Sequence, residues 1–396
     1  MTSQEVFDII KRDAIAVYSE EGLLEKLKSG KSLKIKLGAD PSRPDLHLGH
    51  SVVLRKLKLL QDLGHEIIFV IGDFTGMIGD PSGKSKTRIP LTFEQTRTNG
   101  QTYLNQVTKI LDKKKTKIVY NSEWLATMNF SDVLQLAGKY TLARILERDD
   151  FSKRYNDNQP IGLHEIFYPL MQGFDSVALE ADIEVGGTDQ TFNLLVGREL
   201  QKDYEQSPQE VITFPLLPGL DGIEKMSKSL DNYIGIDEPP EVMFEKCMKV
   251  PDTLISDYYR LTTDISSNIY KCLVETDIRK AHFEYAKAIV TIYHSASAAI
   301  QAEERYCQVA SGMTPDSMSI HELKKENLQS GNGIRLVELI KNVGFASSLG
   351  EARRNISGKG IKINGSIVED VDLILTPQEP FVLQFGKNKF IKIIFN

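Results

Sequence analysis

The segment DPSRPDLHLGH, residues 40–50, contains two histidines suited to neutralising the charge of a bound polyphosphate. His47 and His50 are three residues apart at the predicted first turn of a helix, where backbone N–H groups lack partners and the dipole is positive. Gly49 between them would let a ligand approach the backbone closely. Histidines at a helix start can also be ordinary surface residues. Metal binding would need a third ligand, which the neighbouring sequence does not supply.

A second segment, EKMSKS at residues 224–229, contains the lysines Lys225 and Lys228, three residues apart and interleaved with serines that include Ser229. Such a loop can bind charge that develops on phosphate in a transition state. Alone, it could equally be a solvated surface loop. The two segments in this order are much more specific than either one, and together they predict a site for a polyphosphate.

The segment GDFTGMIGDPSGKSKTR, residues 72–88, has part of the pattern of a phosphate-binding P-loop. The complete pattern GxxxxGK[ST] would need glycine where Ile78 stands, and Pro81 has no N–H to offer a phosphate. A P-loop is therefore excluded. What remains is a glycine-rich turn with one acid, Asp80, followed by a basic loop containing Lys84, Lys86 and Arg88.

The segment FYPLMQGFDSVALEADIEVGGTDQTFN brings several polar side chains together. Tyr168, Gln172 and Asp175 would lie on one face of a helix because they are spaced by four and three residues. An acid on an otherwise apolar helix needs a partner if it is buried, and that partner could be a ligand. Asp189 and Gln190 follow a strand-like run and two glycines, the usual place for ligand contacts in an open α/β sheet.

The elements that would position these residues follow an α/β pattern. Residues 33–38 alternate like a strand, residues 48–63 repeat leucines at helical spacing, and EIIFVI is typical of a buried parallel strand. A strand–helix–strand unit predicts a doubly wound parallel sheet. Helix-like sequence follows as far as about residue 310, and the end of the chain has two helices and three β-like runs.

Composition narrows the class of protein. The 396 residues suggest two or three domains, and the chain has no apolar run of the kind that spans a membrane. The three cysteines fit neither a disulfide framework nor a metal site, so a reducing cytoplasm is expected. Net charge is −6, but residues 333–396 carry +3 and the remainder −9. This pattern argues against general coating of nucleic acid and predicts a small basic module on an acidic body.

Together these segments resemble a known family. HLGH and KMSKS are similar to the two named motifs of class I aminoacyl-tRNA synthetases, and the resemblance runs across nearly the whole chain. GDFTGMIGDPSGKSKTR, YPLMQGFDS, GGTDQ and the C-terminal tail resemble bacterial tyrosyl-tRNA synthetases in particular. The tail is similar to the S4 RNA-binding module.

The resemblance implies an α/β fold with three parts. These are a Rossmann-type parallel-sheet catalytic domain (1–238), an α-helical anticodon-recognition domain (239–320) and, after a linker (321–332), a small α+β S4-like domain (333–396). It also implies a cytoplasmic homodimer with no membrane contact. Its substrates would be ATP with Mg²⁺, L-tyrosine and tRNA(Tyr), and it would hold no tightly bound protein-ligated metal. Tyrosine would first form tyrosyl-adenylate and then pass to the 3′ end of the tRNA.

The resemblance also implies roles for matching residues. Those that would contact the ATP phosphates in the transition state are His47, His50, Lys84, Arg88, Lys225, Lys228 and Ser229. Others that would bind ATP are Ser42, Gly49 and, through the ribose, Asp189. Those that would bind tyrosine are Asp80, Tyr168, Gln172 and Gln190 at the ammonium, with Asp175 at the phenolic hydroxyl. Those that would bind tRNA are Arg353, Arg354 and Lys359.

Lys36 is a departure from the family pattern. Many members carry a tyrosine at this position as a second partner for the substrate hydroxyl. Lys36 is expected to donate to the phenolic oxygen or to pair with Asp175 and orient it. Alternatively, it is a solvated lysine near the end of a strand.

Three other functions remain open from the sequence. A tryptophanyl-tRNA synthetase would share the two named motifs but would lack the S4-like tail. Another nucleotidyl transferase with a HIGH-like motif would need no RNA-binding surface. A non-catalytic S4-type RNA-binding protein would usually have lost charge from HLGH and KMSKS, both of which are intact here.

Overall fold

The computed structural model describes residues 1–41, 46–82, 91–316, 318–323, 333–377 and 379–395. Within those ranges the α-helices, numbered in chain order, are α1 (Ser3–Asp13), α2 (Glu20–Lys28), α3 (Leu48–Asp62), α4 (Thr75–Ile78), α5 (Phe93–Val107), α6 (Ser122–Leu125), α7 (Phe130–Gly138), α8 (Leu142–Ile145), α9 (Asp149–Asn156), α10 (Leu163–Leu179), α11 (Thr191–Asp203), α12 (Pro240–Cys247), α13 (Ile255–Thr262), α14 (Ser267–Thr276), α15 (Ile278–Tyr293), α16 (Ala296–Ala310), α17 (Leu336–Asn342) and α18 (Leu349–Ser357). Short 3₁₀ helices occupy Thr188–Gln190 and Lys228–Leu230.

The strands are likewise numbered in chain order. They are β1 (Ala16–Tyr18), β2 (Lys34–Ala39), β3 (Glu66–Ile71), β4 (Thr116–Tyr120), β5 (Ile183–Gly187), β6 (Glu210–Phe214), β7 (Ser319–Leu323), β8 (Ile334–Arg335), β9 (Ile361–Ile363), β10 (Ser366–Ile367), β11 (Ile374–Leu375), β12 (Phe381–Phe385) and β13 (Lys389–Phe395). The chain forms two compact units, residues 1–239 with 246–285, and residues 240–245 with 286–396.

The first unit is built on a six-stranded sheet of order β1-β6-β5-β2-β3-β4. All its neighbouring strands are parallel except the edge strand β1, which runs antiparallel to β6. This confirms the Rossmann-type parallel sheet expected from the sequence. From β2 the chain builds outward through β3 and β4, and then returns to place β5 on the other side of β2. The order therefore reverses between β2 and β5, and ligands bind at such a reversal in open α/β sheets.

Helix α3 follows β2 and carries the predicted leucine pattern. Leu54, Leu57 and Leu60 are each buried against the sheet to 1% exposure or less. The helix begins after His47, and the chain turns away at Gly64, whose φ of 93° is strained for other residues. The strand–helix–strand unit β2-α3-β3 is thus confirmed.

Helix α10 carries the predicted polar face, with Tyr168 and Asp175 buried. It packs closely on α11, where Gly173 faces Gly197. A Cβ on Gly173 would lie 3.1 Å from the backbone nitrogen of Gly197, so the two helices approach this closely only because a side chain is missing. This packing fixes the height of α10 above the sheet.

The second unit contains a five-stranded sheet of order β10-β9-β12-β13-β7 and the short pair β8 and β11. Helices α17 and α18 pack on it around an apolar core that includes Leu336, Leu339, Ile356 and Leu383. The two helices and the strands predicted in the tail are confirmed.

The division of the chain differs from the expected boundaries in two places. Strand β7 (Ser319–Leu323) falls in the segment expected to be the end of the helical domain and linker, yet it pairs in parallel with β13. Leu323 is only 1% exposed and lies in the C-terminal core. It is held there because the backbone N–H and C=O groups of this segment pair with those at the edge of β13. The expected helical domain, 239–320, is also divided between the two units. Its residues 246–285 belong to the first unit, and its residues 240–245 and those from 286 onward belong to the second.

Across the described ranges, none of the helices combines the length and the apolar character needed to span a bilayer.

Candidate active site

A cavity of about 660 Å³ opens at the carboxyl ends of β2, β3 and β5, where the strand order reverses. The α3 N-terminus, α10 and the loop at 225–229 complete its wall. The site residues predicted from the sequence that line it are His47, Gly49, His50, Asp80, Tyr168, Gln172, Asp175, Asp189, Gln190, Lys225, Lys228 and Ser229. Ser42, Lys84 and Arg88 lie outside the described residues.

The two histidines form a close pair at the start of α3, with their rings tilted by 45° to each other. Their ring centroids are 4.0 Å apart, and the His47 backbone N–H donates to His50 Nδ1 at 3.2 Å. Gly49 makes room for the pair, since a Cβ there would lie 2.9 Å from His47 Nδ1. That nitrogen is buried and has no hydrogen-bond partner among the residues the structure describes. A buried nitrogen left in this state is available to a ligand.

Both imidazoles are neutral near pH 7. Burial lowers the pKa of His47 well below its usual value, and the neighbouring His50 and Lys225 lower it further. Burial also lowers the pKa of His50 to about 4, and Asp189 only partly offsets this effect. The pair therefore suits hydrogen bonding to phosphate oxygens, whereas the sequence pattern had suggested that it neutralises their charge.

The KMSKS loop is held beside the cavity by hydrogen bonds from its backbone. Met226 N–H donates to Leu217 O at 2.8 Å, and Ser227 N–H donates to Asn232 Oδ1 at 2.7 Å. Lys225 Nζ forms an ion pair with Asp189 Oδ2 at 2.6 Å. In this state the loop thus places a cation directly on the carboxylate expected to bind the ribose.

A network of amides surrounds the carboxylate of Asp80. Gln190 Nε2 donates to Asp80 Oδ2 at 2.8 Å. Asn193 Nδ2 donates to Gln172 Oε1 at 2.9 Å and to Gln190 Oε1 at 3.2 Å. Buried Arg148 donates to Asn193 Oδ1 at 3.2 Å and lies 4.0 Å from Asp80. The structure brings Asp80, Gln172 and Gln190 together as predicted and adds Asn193 and Arg148, which no local sequence pattern indicates.

Asp40 is a further site residue that sequence reasoning missed. Tyr168 Oη donates to Asp40 Oδ2 at 2.9 Å, and Thr75 Oγ1 donates to Asp40 Oδ1 at 2.7 Å. Asp40 immediately follows β2, so the strand-end rule that identified Asp189 would also have identified it.

Asp175 is a buried residue of the cavity wall and receives two donors from the segment after β4. Trp124 Nε1–H donates to Asp175 Oδ1 at 2.8 Å, and Asn121 Nδ2 donates to Oδ2 at 3.4 Å. Burial raises the pKa of Asp175 to about 7, against the opposing effects of Lys36 and of these two hydrogen bonds. Strand β4, which ends one residue before Asn121, is not predicted from the sequence, and neither donor is therefore predicted.

Lys36 is completely buried beneath the cavity floor and is neither solvated nor paired directly with Asp175. Its register partner across β2 and β5 is Glu184, and the two charges meet at 2.8 Å. Lys36 Nζ also donates to Ser176 Oγ at 2.8 Å and to Gln172 O at 3.0 Å. It is not among the residues that line the cavity, and it acts on Asp175 through its charge.

The basic residues predicted to bind tRNA lie in the second unit. Arg353 and Arg354 are exposed on α18. Lys359 follows that helix with a φ of 59° and pairs with Glu369 at 2.9 Å. Elsewhere in the described chain, no group of three or more His, Cys, Asp or Glu side chains is arranged to hold a metal ion.

Comparison with known proteins identifies a family for each of two segments of the chain. Residues 28–309 match the family model of tRNA synthetases class I (W and Y), and residues 334–379 match that of the S4 domain. A tyrosine–tRNA ligase of Carboxydothermus hydrogenoformans is 50% identical, covering 98% of this chain and 97% of its own length. A tyrosine–tRNA ligase of Deinococcus radiodurans is 48% identical, covering 98% and 96%.

Solved structures with the same fold cover most of the chain. The tyrosyl-tRNA synthetase of Archaeoglobus fulgidus, complexed with L-tyrosine, is 25% identical with a TM-score of 0.60, and the match covers 76% of this chain and 99% of that one. A truncated mitochondrial tyrosyl-tRNA synthetase of Aspergillus nidulans, at 20% identity and a TM-score of 0.65, shows the fold alone over 78% and 97%.

The raised pKa of Asp175 predicts how stability depends on pH in the absence of ligand. The folded state binds this proton more tightly than the unfolded state, whose pKa is near 4. The group's contribution is therefore complete below about pH 4 and is lost as pH rises through about 7. Asp175→Asn cannot ionise. Relative to this variant, the wild-type free energy of unfolding should fall by up to about 1.4 kcal/mol per pH unit across that window.

Urea denaturation of both proteins at several pH values between about 4 and 8 measures this difference. Asp62→Asn, which alters a carboxylate on the exposed end of α3, is the matched control. A difference between wild type and Asp175→Asn that stays constant over this range would contradict the prediction.

Proposed function

The chain belongs to the tyrosine–tRNA ligases, a family of class I aminoacyl-tRNA synthetases, and from that premise we propose how its cavity carries out the reaction. One observation carries the proposal. A single cavity has two neutral histidines and the KMSKS lysines at one end, and a buried carboxylate with fixed donors at the other. The first end suits the phosphates of ATP and the second suits the phenolic hydroxyl of tyrosine.

At the amino-acid end, the carboxylate of Asp80 pairs with the tyrosine ammonium, together with Tyr168, Gln172 and Gln190. The amide network supports this role, because Gln190 and Asn193 fix the side chains around Asp80 before the substrate arrives. Asp175 accepts a hydrogen bond from the phenolic hydroxyl. Phenylalanine lacks this hydroxyl, so its binding would leave the buried Asp175 carboxyl without a hydrogen bond from the ligand. An unpaired polar group of this kind discriminates against phenylalanine more strongly than the size of the pocket does.

At the nucleotide end, Asp189 accepts from the ribose hydroxyls. His47 and His50 donate to phosphate oxygens, and the backbone beside Gly49 lets the phosphates approach α3. The ion pair of Lys225 with Asp189 supports an exchange of partners at Asp189 when ATP binds. The ribose hydroxyls then donate to Asp189 and displace Lys225, which joins Lys228 and Ser229 at the phosphates. Ser42, Lys84 and Arg88 remain proposed phosphate ligands by their match to the family pattern.

The first step is an in-line displacement. A tyrosine carboxylate oxygen attacks the α-phosphorus of ATP, the bond to the bridging oxygen of the β-phosphate breaks, and pyrophosphate leaves. Mg²⁺ enters with ATP as part of the substrate. Catalysis by this chain's residues consists of positioning the two reactants and binding the negative charge that develops on phosphate, with no covalent enzyme intermediate. A hydroxyl at the 3′ end of tRNA(Tyr) then attacks the carbonyl carbon of the adenylate, the tyrosyl group passes to the tRNA, and AMP leaves. We place the reaction in the cytoplasm.

Lys228→Ala tests the role of the KMSKS loop in pyrophosphate exchange dependent on tyrosine, with tryptophan and phenylalanine as substrate controls. We expect kcat to fall by about 10²-fold or more, with little change in the KM for tyrosine, because the lysine binds charge that is present only in the transition state. Exchange that depends on tryptophan would contradict the proposed substrate. An unchanged kcat would contradict the role of Lys228.

The S4-like part of the second unit is proposed to bind tRNA(Tyr) through Arg353, Arg354 and Lys359. Replacing the first two by alanine should weaken tRNA charging and reduce its dependence on salt, because phosphate contacts release counterions. Pyrophosphate exchange should stay unchanged, since neither arginine lies in the cavity. Glu338→Gln on α17 of the same unit is a control for altered charge. Equal loss of exchange and charging in the double variant would rule out a specific role in tRNA binding.

We also propose that two copies of the chain form a homodimer through helices α7 to α10. These helices expose large apolar side chains on the first unit, including Phe130 at 77% and Leu163 at 81%. Large apolar side chains exposed on neighbouring segments are typical of an interface. Leu163→Glu would place a charge there and should shift sedimentation from dimer to monomer. Ile15→Glu, at an exposed apolar residue outside these helices, should leave the dimer intact. A monomeric wild type would contradict the proposal.

A further inference from the structure

Asn232 lies three residues after the KMSKS motif, and only 4% of its surface is exposed. Its Oδ1 accepts from Ser227 N–H at 2.7 Å. Its Nδ2 donates to the carboxylate of Asp221 and, at 3.3 Å, to Lys225 O. One buried amide thus joins two backbone positions of the motif to a carboxylate that precedes it. Because the amide has one accepting and one donating end, these partners fix the direction in which it faces.

The chain before the motif is shaped to receive this amide. A Cβ on Gly219 would overlap the Asn232 side chain, so glycine is needed to leave room for it. Asp221 Oδ1 accepts from the N–H groups of Ile223 and Glu224, each at 2.9 Å, which leaves Oδ2 for the amide. The hydrogen bond from the Ile223 N–H, followed by that from Asn232, lowers the pKa of Asp221. This carboxylate is therefore ionised near pH 7 and can only accept.

The segment before the motif, residues 218–224, is anchored on α13. Tyr258 is completely buried, and its Oη donates to Pro218 O at 2.6 Å. The turn at Gly222, with a φ of 72°, lies close to the chain that leads into this helix, since a Cβ there would lie 3.2 Å from Pro251. A shift of this segment would therefore break its contacts with α13 and the chain before it.

The segment that begins at Asn232 is anchored on the start of α3. Leu48 N–H donates to Ile234 O at 2.9 Å, and Ile236 N–H donates to Leu46 O at 3.2 Å. The residues that bear the two histidines are thus bonded through their backbone to the chain after the KMSKS loop. The loop is held from both sides, and Asn232 lies where it joins this second fixed segment.

The lysines of the motif extend from the backbone that Asn232 holds. Its two backbone partners are Lys225 O and the N–H of Ser227, which is the N-cap of the 3₁₀ helix Lys228–Leu230. The amide therefore sets the positions from which the side chains of Lys225 and Lys228 start. A cation that is already in place stabilises a transition state more than one that must be ordered during the reaction.

We propose that Asn232 is a positioning residue for formation of the adenylate, which holds the KMSKS loop so that Lys225 and Lys228 reach the phosphates of ATP. Asp221 is its partner in this task. The inference rests on the proposed function, in which the two lysines bind charge that develops in the transition state. Asn232 is not among the residues that line the cavity, so it acts through the lysines and not on the substrate.

An exchange of the two side chains tests this pair. Asn232→Asp keeps an acceptor for Ser227 N–H but places a second carboxylate against Asp221, whereas Asp221→Asn places two amide donors together. The double variant Asp221→Asn/Asn232→Asp again sets one donor against one acceptor, in the opposite direction and with unchanged net charge.

The measurement is tyrosine-dependent pyrophosphate exchange by the full-length protein. We expect kcat to fall by about 10²-fold in Asn232→Asp and by about tenfold in Asp221→Asn, and the double variant to recover at least about fivefold over Asn232→Asp. The KM for tyrosine should change by less than about twofold in all three, because tyrosine binds away from the loop. Asn105→Asp, which adds the same charge on the exposed face of α5, should leave both constants unchanged.

A second comparison asks whether Asn232 acts through a lysine. Asn232→Asp combined with Lys228→Ala should lower kcat by clearly less than the product of the two separate effects, because both changes remove the same interaction. Multiplicative losses in this pair would overturn the inference, as would a swap that recovers no activity or losses that appear equally in the KM for tyrosine. If the wild type does not exchange with tyrosine, or if Lys228→Ala leaves kcat unchanged, the proposed function itself is wrong.

Discussion

Carboxylates removed from water at one edge of a parallel sheet impose the main constraint on this molecule. Ionised groups in such a place need fixed donors or opposite charges, and each partner must come from an element packed against that edge. Asp40 takes Thr75 and Tyr168, and Asp175 takes Trp124 and Asn121. The hydrogen bond from Asn121 to Thr75 joins these two sets into one chain. The carboxylates of Asp40 and Asp175 are therefore positioned by a common network.

The pair of Lys36 and Glu184 lies under this network and connects the two strands between which the sheet order reverses. A buried ion pair is weak support for stability, but loss of one member leaves the other charge uncompensated. Here Glu184 is also held by Ser176 and by Gln209, so its charge has three partners from different parts of the chain. The positive charge of Lys36 favours an ionised Asp175 without touching it, which a tyrosine at the same position could not do.

Local spacing predicted the parts of the site that lie on single elements. The polar face of α10 followed from positions 168, 172 and 175, and Asp189 followed from its place after a strand and two glycines. Partners that meet across the sheet were not predictable, because the distance between Trp124 and Asp175 depends on the packing of α6 and α10 against β3. Strand β7 was missed for a similar reason, since its five residues become a strand only beside β13.

Burial also explains why the histidines differ from the charged pair that their sequence suggested. Two imidazoles 4.0 Å apart, with Lys225 nearby, cannot both gain protons at low cost in a site that excludes water. In the proposed mechanism they bring donors to the phosphates without repelling the lysines that approach the same atoms. The positive charge would come from the KMSKS loop, whose Lys225 is held on Asp189. Under the proposed exchange, the charge of Lys225 reaches the phosphates once the ribose has displaced this lysine from Asp189, and binding of the ribose is thereby coupled to stabilisation of the transition state.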